Sequence, residues 1–493
     1  MAQLSLDRAA GVLLGQACGD ALGVPYEFGS ARLTDAGPAM IGGGLGSYAP
    51  GEWSDDTQMA SCIARVSATG SDLASDEALD AIAEGFLEWA SAGPSDIGRQ
   101  TSSVMRLARL ENGPAGARLL AAAREHGRHS SNDAGNGALM RTSVIGVSHV
   151  DDREATAEAA RAVASLTHPA ADAVDSCVLW SEAVRRTVLC GDLNLTDGLD
   201  LLPESRRDRW RGFLEEAESS PPGTFSPNGW TVTALQAAWS AIVHTPVPEL
   251  DPSVGSFPCQ QLQHALHTAI GIGHDTDTVA AIAGGLLGAR WGASAIPARW
   301  RRIVHGWPGL RSRDLIRLSW LTARRGELDG FGWPDVELMQ YPPSRQHRVP
   351  HPADDRVLLG TVADLGHGET AAVSLCRLGA TEVPAQGVKP EDHVEFWLLD
   401  SDDPRQNLNL DFVLADIALT VADLRAEDRT VLVHCVAAEQ RTPSAALAYS
   451  RFRGGDTSEA AEAITSALRS ARGQGRLWEH AALVATPSPA STR

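Results

Sequence analysis

The stretch GHDTDTVAAIAGGLLGA (273–289) decides how this chain is read. Its first half carries Asp275, Thr276, Asp277 and Thr278, two carboxylates and two hydroxyls on consecutive residues. Its second half has apolar positions three and four apart, so a helix is expected to start at the acidic cluster. The small residues of that helix would let a partner helix approach closely. A second stretch has the same build: WSDDT (53–57) places Ser54, Asp55 and Asp56 ahead of the helix-like run QMASCIARVSA. One Asp or Thr before a helix is commonly only an N-cap, and a cap needs one side chain. Two acids with flanking hydroxyls, at two places, exceed that need.

Gathering four Asp without counter-charge is costly, and divalent cations are the usual remedy. Oxygen donors without cysteine point to hard metals such as Mg²⁺ or Mn²⁺, and the donor count suits two ions. A two-metal site can activate water or hold vicinal hydroxyls, so the residues alone indicate metal-assisted hydrolysis. Other segments fit around such a site. GQACGDALGVPYEF (15–28) begins as a helix and ends in an extended stretch bearing Glu27. AGNGALMR (134–141) is a Gly-rich turn entering a helix; its amides could cradle phosphate, although ordinary turns use the same residues. His168, in SLTHP, could donate to phosphate or serve only structure.

Outward from these motifs, residues 1–325 read as mainly helical, with DEALDAIAEGFLEWASA (76–92) and ATAEAARAVASL (155–166) as examples. Turn signals stand at GGGLG (42–46), SPPG (220–223) and SPNG (226–229). Residues 326–356 are rich in Pro and polar residues and read as a linker. Residues 357–484 alternate short strands with helices and predict a small α/β domain; 485–493 read as a disordered tail. The strands expected are RVLLGTVA, TAAVSLCRLG, VEFWLLD and TVLVHC; the helices are LDFVLADIALTVADLR and PSAALAYSRF. The fold class is therefore multidomain, an all-α domain followed by a small α/β domain. A length of 493 residues supports the division, because one core rarely grows past ~250–300 residues.

Composition bounds the partners. The net charge of −20 argues against a sequence-independent grip on nucleic acid or on an anionic membrane. It leaves a modified nucleic acid open as a substrate. No apolar run reaches the ~18–20 residues of a membrane span, and Asp and Gly break the N-terminal stretch too early for a signal peptide. Seven cysteines without a CxxC pair make neither a disulfide framework nor a zinc site, so a cytoplasmic location is expected. Lys389 is the only lysine, a bias expected of a GC-rich bacterial genome.

Taken together, GQACGDALGVPYEF, WSDDT, GNGALMR, SLTHP, NGWTVTALQAAWSAI (228–242) and GHDTDTVAAIAGGLLGA resemble the ADP-ribosylglycohydrolase family, which includes the enzyme acting on dinitrogenase reductase. The resemblance implies an all-α fold with a binuclear Mg²⁺ or Mn²⁺ centre and an ADP-ribosylated substrate, with ADP-ribose as product. It assigns metal ligation to Ser54, Asp55, Asp56, Asp275, Asp277 and Thr278. The family usually has Thr where Ser54 stands, and the hydroxyl is kept. Glu27 matches an acidic residue that gates the site or assists water. Gly135, Asn136, Gly137 and Met140 match the loop around diphosphate and ribose, and His168 a position beside the diphosphate. Glu27 and the metal-binding Asp residues (Asp55, Asp56, Asp275, Asp277) are the candidate proton carriers.

In the second domain TVLVHC (430–435) leads into Cys435-Val436-Ala437-Ala438-Glu439-Gln440-Arg441-Thr442 and a helix. A thiol between a strand and a helix N-terminus, with Arg five residues beyond, can present a thiolate and clamp an oxyanion. The segment resembles dual-specificity tyrosine phosphatases. That implies Cys435 as nucleophile, Arg441 as phosphate clamp and Asp402 as general acid, with Asp403 close behind. The third residue after Cys is usually Gly; here it is Ala438, and Glu439 adds a negative charge to a loop meant for an anion. The leading reading is an ADP-ribosyl hydrolase with a phosphatase-like appendage. The alternative is a phosphatase or phosphate-binding protein whose first domain only reads ADP-ribose.

Overall fold

The computed structural model describes residues 4–130, 133–342 and 346–485. The chain forms two compact units. The first comprises Met1–Pro246, Gln261–Ile296 and Ile303–Glu327; the second comprises Val247–Gln260, Pro297–Arg302 and Leu328–Arg493. The expected helices appear in the first unit as Asp76–Ser91, Arg153–Ser165 and Thr276–Trp291. A pair of two-residue strands, β1 (His305–Gly306) and β2 (Leu310–Arg311), joins them.

The first unit is organised by the pairing of helix Leu6–Gly23 with helix Thr276–Trp291. Gly11, Gly15, Gly19 and Gly23 recur every four residues and so line one face. They meet Gly288, Gly284, Ala280 and Asp277 of the facing helix. A Cβ added to Gly284 would stand 2.2 Å from the carbonyl oxygen of Gly15, and one added to Gly288 would stand 2.0 Å from that of Gly11. The backbones therefore touch, and no side chain fits between them. The far end is closed by Asp7, which accepts from the Ser294 amide at 2.9 Å and from its hydroxyl at 2.6 Å. Helix Ser312–Ala323 joins the pair through the Ser319 hydroxyl, which donates to the Ala9 carbonyl at 2.6 Å. At the near end, the contact sets Asp277 beside Gly23, three residues from Asp20.

The second unit carries a five-stranded sheet: β3 (Val349–His351), β4 (Asp354–Thr361), β5 (Ala371–Ser374), β6 (His393–Glu395) and β7 (Val431–Cys435). Its order is β3-β4-β7-β5-β6. The β4, β7, β5 and β6 strands are parallel, and β3 pairs antiparallel on the edge. Leu359, Val373 and Val433 of the sheet share a core with Leu414, Ile417 and Val421 of helix Leu410–Ala426 and Leu447 of helix Arg441–Phe452.

Several local expectations differ from the structure. Residues 349–351 and 354–356, read as linker, pair in the sheet; β3 tolerates Pro350 because it is an edge strand with a register shift there. The expected strands TAAVSLCRLG and VEFWLLD end early, at Ser374 and Glu395. Residues 247–260 and 297–302, read with the helical domain, belong to the second unit; in the latter segment the Ala298 amide donates to Asp416 at 2.9 Å, and Arg302 pairs with Glu427 at 2.9 Å. Of the expected tail, residues 486–493 lie outside the described residues.

Gly284→Ala should cost about 1–3 kcal/mol or more, because neither backbone can yield to the new methyl without separating the helices. Gly212→Ala, in helix Glu204–Ser219 with nothing within 4 Å of the new carbon, should instead gain up to about 1 kcal/mol. Chemical denaturation of both variants checks this. Equal effects would show that the helix contact is not tight.

Candidate active site

The two acidic clusters meet at the end of the glycine-lined helix pair. Asp55 and Asp56 open helix Asp55–Ser67, and Asp277 lies in the first turn of helix Thr276–Trp291. Neither helix is capped by its own N-cap side chain, Ser54 in one and Asp275 in the other. The N-terminus of helix Asp55–Ser67 is satisfied from another helix, by Asp20. Asp20 Oδ1 accepts from the Ser54 amide and hydroxyl, both at 2.8 Å. Asp20 Oδ2 accepts from the Thr57 amide at 3.0 Å and hydroxyl at 2.6 Å. The Ser54 hydroxyl also lies 3.0 Å from Asp56 Oδ2.

Oxygen atoms of Asp20, Asp56 and Asp277 lie within 4.8 Å of one another, as do those of Glu27, Asp275 and Asp277. Asp277 belongs to both triads. Asp55 lines the neighbouring wall, and the Thr278 hydroxyl bonds to Asp275. Burial is the first cause raising every one of these carboxyls; neighbouring charges add to it for Glu27, Asp55, Asp56, Asp275 and Asp277, whereas hydrogen bonds from Thr57 and Ser54 pull Asp20 part of the way back. Asp20 is pushed up to about 6 and Glu27 to about 9. Asp55, Asp56 and Asp277 are driven well above the usual carboxylate range. Asp56 Oδ1 is buried without a hydrogen-bond partner among the described residues. An all-oxygen set, mutually repelling and with an unspent buried oxygen, fits a hard divalent cation.

The acidic floor opens into a cleft of about 1060 Å³, lined by Glu27, Asp55, Asp275, Asp277, Thr278 and the segment Ala134–Gly137. Met140, His168 and Trp230 complete its wall. Glu27 sits where the helical backbone breaks; Phe28 beside it has φ +47° and donates its amide to the His274 carbonyl at 2.7 Å. This ties the Glu27 segment to the second acidic cluster. Asn136 is a scaffold element as well as a wall residue: its Nδ2 donates to Asp275 Oδ2 at 2.7 Å and to the Asn228 carbonyl at 3.2 Å. Gly135 and Gly137 pass directly over the His168 ring. A Cβ on Gly137 would lie 3.2 Å from His168 Nε2. Met140 is buried and donates its amide to the Asn136 carbonyl at 3.1 Å.

In the second unit Cys435 ends β7, buried, and Arg441 opens the following helix. Ala438 between them adopts φ +55°, the left-handed conformation that glycine would take without strain. Glu439 turns aside and pairs with Arg472. Arg441 directs Nη1 at the Leu375 carbonyl, and its Nε is buried without a partner among the described residues. Thr442 donates its hydroxyl to the Gly360 carbonyl at 3.3 Å. Asp402 accepts the Arg476 amide at 2.8 Å and so holds the start of helix Arg476–Ala481. Asp403 pairs with Arg405.

The sequence reading passed over three participants. Asp20 stood inside GQACGDALG, and only the tertiary contact reveals that its carboxylate serves another helix. Asn228 accepts the Asp275 amide at 3.0 Å and donates to the Gly273 carbonyl at 3.2 Å; the NG pair had read as a turn. Tyr48 has a buried, unpartnered hydroxyl whose ionisation is opposed by burial and by the charges of Asp55 and Asp20. No local pattern marks it.

Comparison with known proteins agrees over the first unit. The family model described as ADP-ribosylglycohydrolase matches residues 1–328. The ADP-ribosylarginine hydrolase Tri1 of Pseudomonas putida (strain GB-1) is 29% identical over 303 residues, covering 60% of this chain and 74% of that protein. The ADP-ribosyl-[dinitrogen reductase] glycohydrolase of Rhodospirillum rubrum is 28% identical over 304 residues, 60% of this chain and 89% of its own. A solved structure titled ADP-ribosylglycohydrolase-related protein complex aligns with a TM-score of 0.48 at 24% identity, covering 65% of this chain and 99% of that one.

Asp20→Asn should destabilise the first unit by about 1–3 kcal/mol, because an amide nitrogen would face donors that now meet a carboxylate oxygen. Urea denaturation without added metal measures this. A change under about 0.5 kcal/mol would mean that the helix end finds another acceptor.

Proposed function

The chain belongs to the ADP-ribosylglycohydrolase family, and from this we propose that its first unit hydrolyses the bond between ADP-ribose and an acceptor, with arginine side chains as the preferred acceptor. The observation that carries the reading is the pair of carboxylate triads sharing Asp277, of which Glu27, Asp275 and Asp277 line the cleft. The relatives named for arginine-linked ADP-ribose and for dinitrogen reductase support the acceptor class.

We assign the Asp56–Asp277 and Glu27–Asp275–Asp277 oxygens to two divalent cations, Mg²⁺ or Mn²⁺, with Ser54, Asp55 and Thr278 as further oxygen donors and with Asp20, whose oxygens are taken by four hydrogen bonds, supporting them from behind. Bound there, the cations would supply counter-charge, water activation and a hold on ribose hydroxyls. The remaining work falls to the chain. Asp20 fixes the Ser54–Asp56 segment, and Asn136 with Asn228 fixes Asp275, so the donors face one point. Gly135, Gly137 and His168 offer a close-fitting wall for the diphosphate. Hydrolysis adds water across the glycosidic bond: oxygen joins the anomeric carbon, the bond to the acceptor breaks, and the acceptor nitrogen gains a proton. Glu27, on a loop at the cleft wall, carries that proton between water and leaving group.

In the second unit the cysteine loop supports a structural role better than phosphatase turnover. Asp402 and Arg441 Nη1 are already engaged, and Ala438 holds its loop at a cost in strain.

Purified protein should release ADP-ribose from an arginine-linked peptide with Mg²⁺ or Mn²⁺ and lose this with chelator. Asp277→Ala should lower kcat by about a thousandfold or more, roughly 4 kcal/mol of transition-state stabilisation. Glu27→Gln should lower kcat by about 10²–10⁴-fold while ADP-ribose still binds. Cys435→Ser should leave release unchanged. Metal-independent release, or full activity of Asp277→Ala, would refute the two-cation assignment.

A further inference from the structure

Arg141 is a buried cation without a carboxylate partner among the described residues. It is 1% exposed, its guanidinium carbon lies 4.5 Å from the centre of the Phe86 ring, and Nη1 reaches the Met59 sulfur at 3.5 Å. Burial lowers its pKa to about 10. Such a group is costly to bury, so its one good polar contact is informative. Arg141 Nη2 donates to the Thr167 hydroxyl at 2.6 Å, and that oxygen lies 2.7 Å from His168 Nδ1. Thr167 is wholly buried and His168 is 1% exposed.

The donor count fixes the protons. A guanidinium can only donate, so one lone pair of Thr167 Oγ1 is taken by Arg141. The Thr167 hydrogen then has one partner among the described residues, His168 Nδ1. Were Nδ1 to carry the imidazole proton instead, the hydroxyl hydrogen would be buried and unpaired, at about 1–3 kcal/mol. Nδ1 is therefore the acceptor, and the proton sits on Nε2. Burial, then the charge of Arg141 and then that of His126, lower the His168 pKa well below its usual value, so the ring is neutral. Nε2 faces the Gly135–Gly137 wall of the cleft, where both residues lack the Cβ that would crowd it. Gln100 steadies this shelf by donating to the Thr167 carbonyl at 3.1 Å.

We propose that Arg141 is a positioning residue that, through Thr167, locks His168 in the tautomer presenting Nε2–H to a phosphate oxygen of the substrate. The proposal rests on the ADP-ribosyl hydrolase reading for its ligand and on the buried relay for its geometry. A neutral donor so held contributes equally before and during bond cleavage, so its loss should fall on KM and leave kcat largely unchanged.

Long-range ¹H–¹⁵N correlation spectra of histidine-labelled, ligand-free protein, with His168 assigned by difference from His168→Gln, read the tautomer directly. Wild type and Thr167→Ser should show protonated Nε2 and bare Nδ1; Thr167→Val should lose that preference. ADP-ribose affinity and KM should worsen about five- to tenfold in Thr167→Val and recover in Thr167→Ser. A wild-type Nδ1–H tautomer, or an unchanged tautomer in Thr167→Val, overturns the relay. Should Thr167→Val not fold, the wild-type tautomer alone decides. A wild type that releases no ADP-ribose overturns the hydrolase reading, while the tautomer still tests the relay.

Discussion

The backbone contact between helices Leu6–Gly23 and Thr276–Trp291 is the constraint on which the rest of the first unit depends. Gly15 and Gly284 approach so closely that any Cβ would overlap a carbonyl oxygen. That proximity carries Asp20 and Asp277, far apart in the sequence, to one place. Helix Asp55–Ser67 is then anchored on Asp20, so the first acidic cluster inherits its position from the same contact. Widening the helix pair by one methyl would move one wall of the acidic centre against the other. Packing and chemistry are here one requirement.

The acidic centre opposes the fold that holds it. Buried carboxylates repel one another and lose hydration, which is why each is displaced toward its neutral form. Part of the opposition is met inside the protein: Asp20 is met by two amides and two hydroxyls, and Asp275 by the Asn136 amide. The helix N-termini under Asp55, Asp56 and Asp277 add the favourable end of the helix dipole. Asp56 Oδ1 is left with nothing. A residue set retained at this cost, with its donors converging, is organised for a positively charged ligand rather than for stability.

Much of this was legible because the ligating residues are local in sequence. WSDDT and GHDTDT each show their own cluster, and the helices after them follow from spacing alone. Asp20 was hidden because its partners lie 34 and 37 residues away and its own segment reads as plain helix. Arg141 and Thr167 were hidden for a similar reason: each stood inside a quoted motif, but only the fold shows that they touch. The division of the chain was harder still. Residues 297–302 read as helix-forming, and nothing local announces that Ala298 serves Asp416. Strand β3 was lost to Pro350, a residue that marks an edge strand as readily as a linker.

The two cysteine- and carboxylate-bearing motifs differ in whether their polar groups are already spent. In the first unit Asp56 Oδ1 has no hydrogen-bond partner among the described residues, and His168 Nε2 faces the cleft, while Asp20, Asn136 and Asn228 beside them are spent on holding the scaffold. In the second unit the order is reversed. Arg441 spends Nη1 on the Leu375 carbonyl, Asp402 holds the start of a helix, and Glu439 is drawn off by Arg472. A ligand entering there would have to displace bonds that hold the ends of β5 and helix Arg476–Ala481 in place. Residue types and spacing are alike in promising chemistry at both places, but the hydrogen-bond inventory separates them. An anion at the Cys435 loop competes with the fold, whereas a cation at the Asp277 centre completes it.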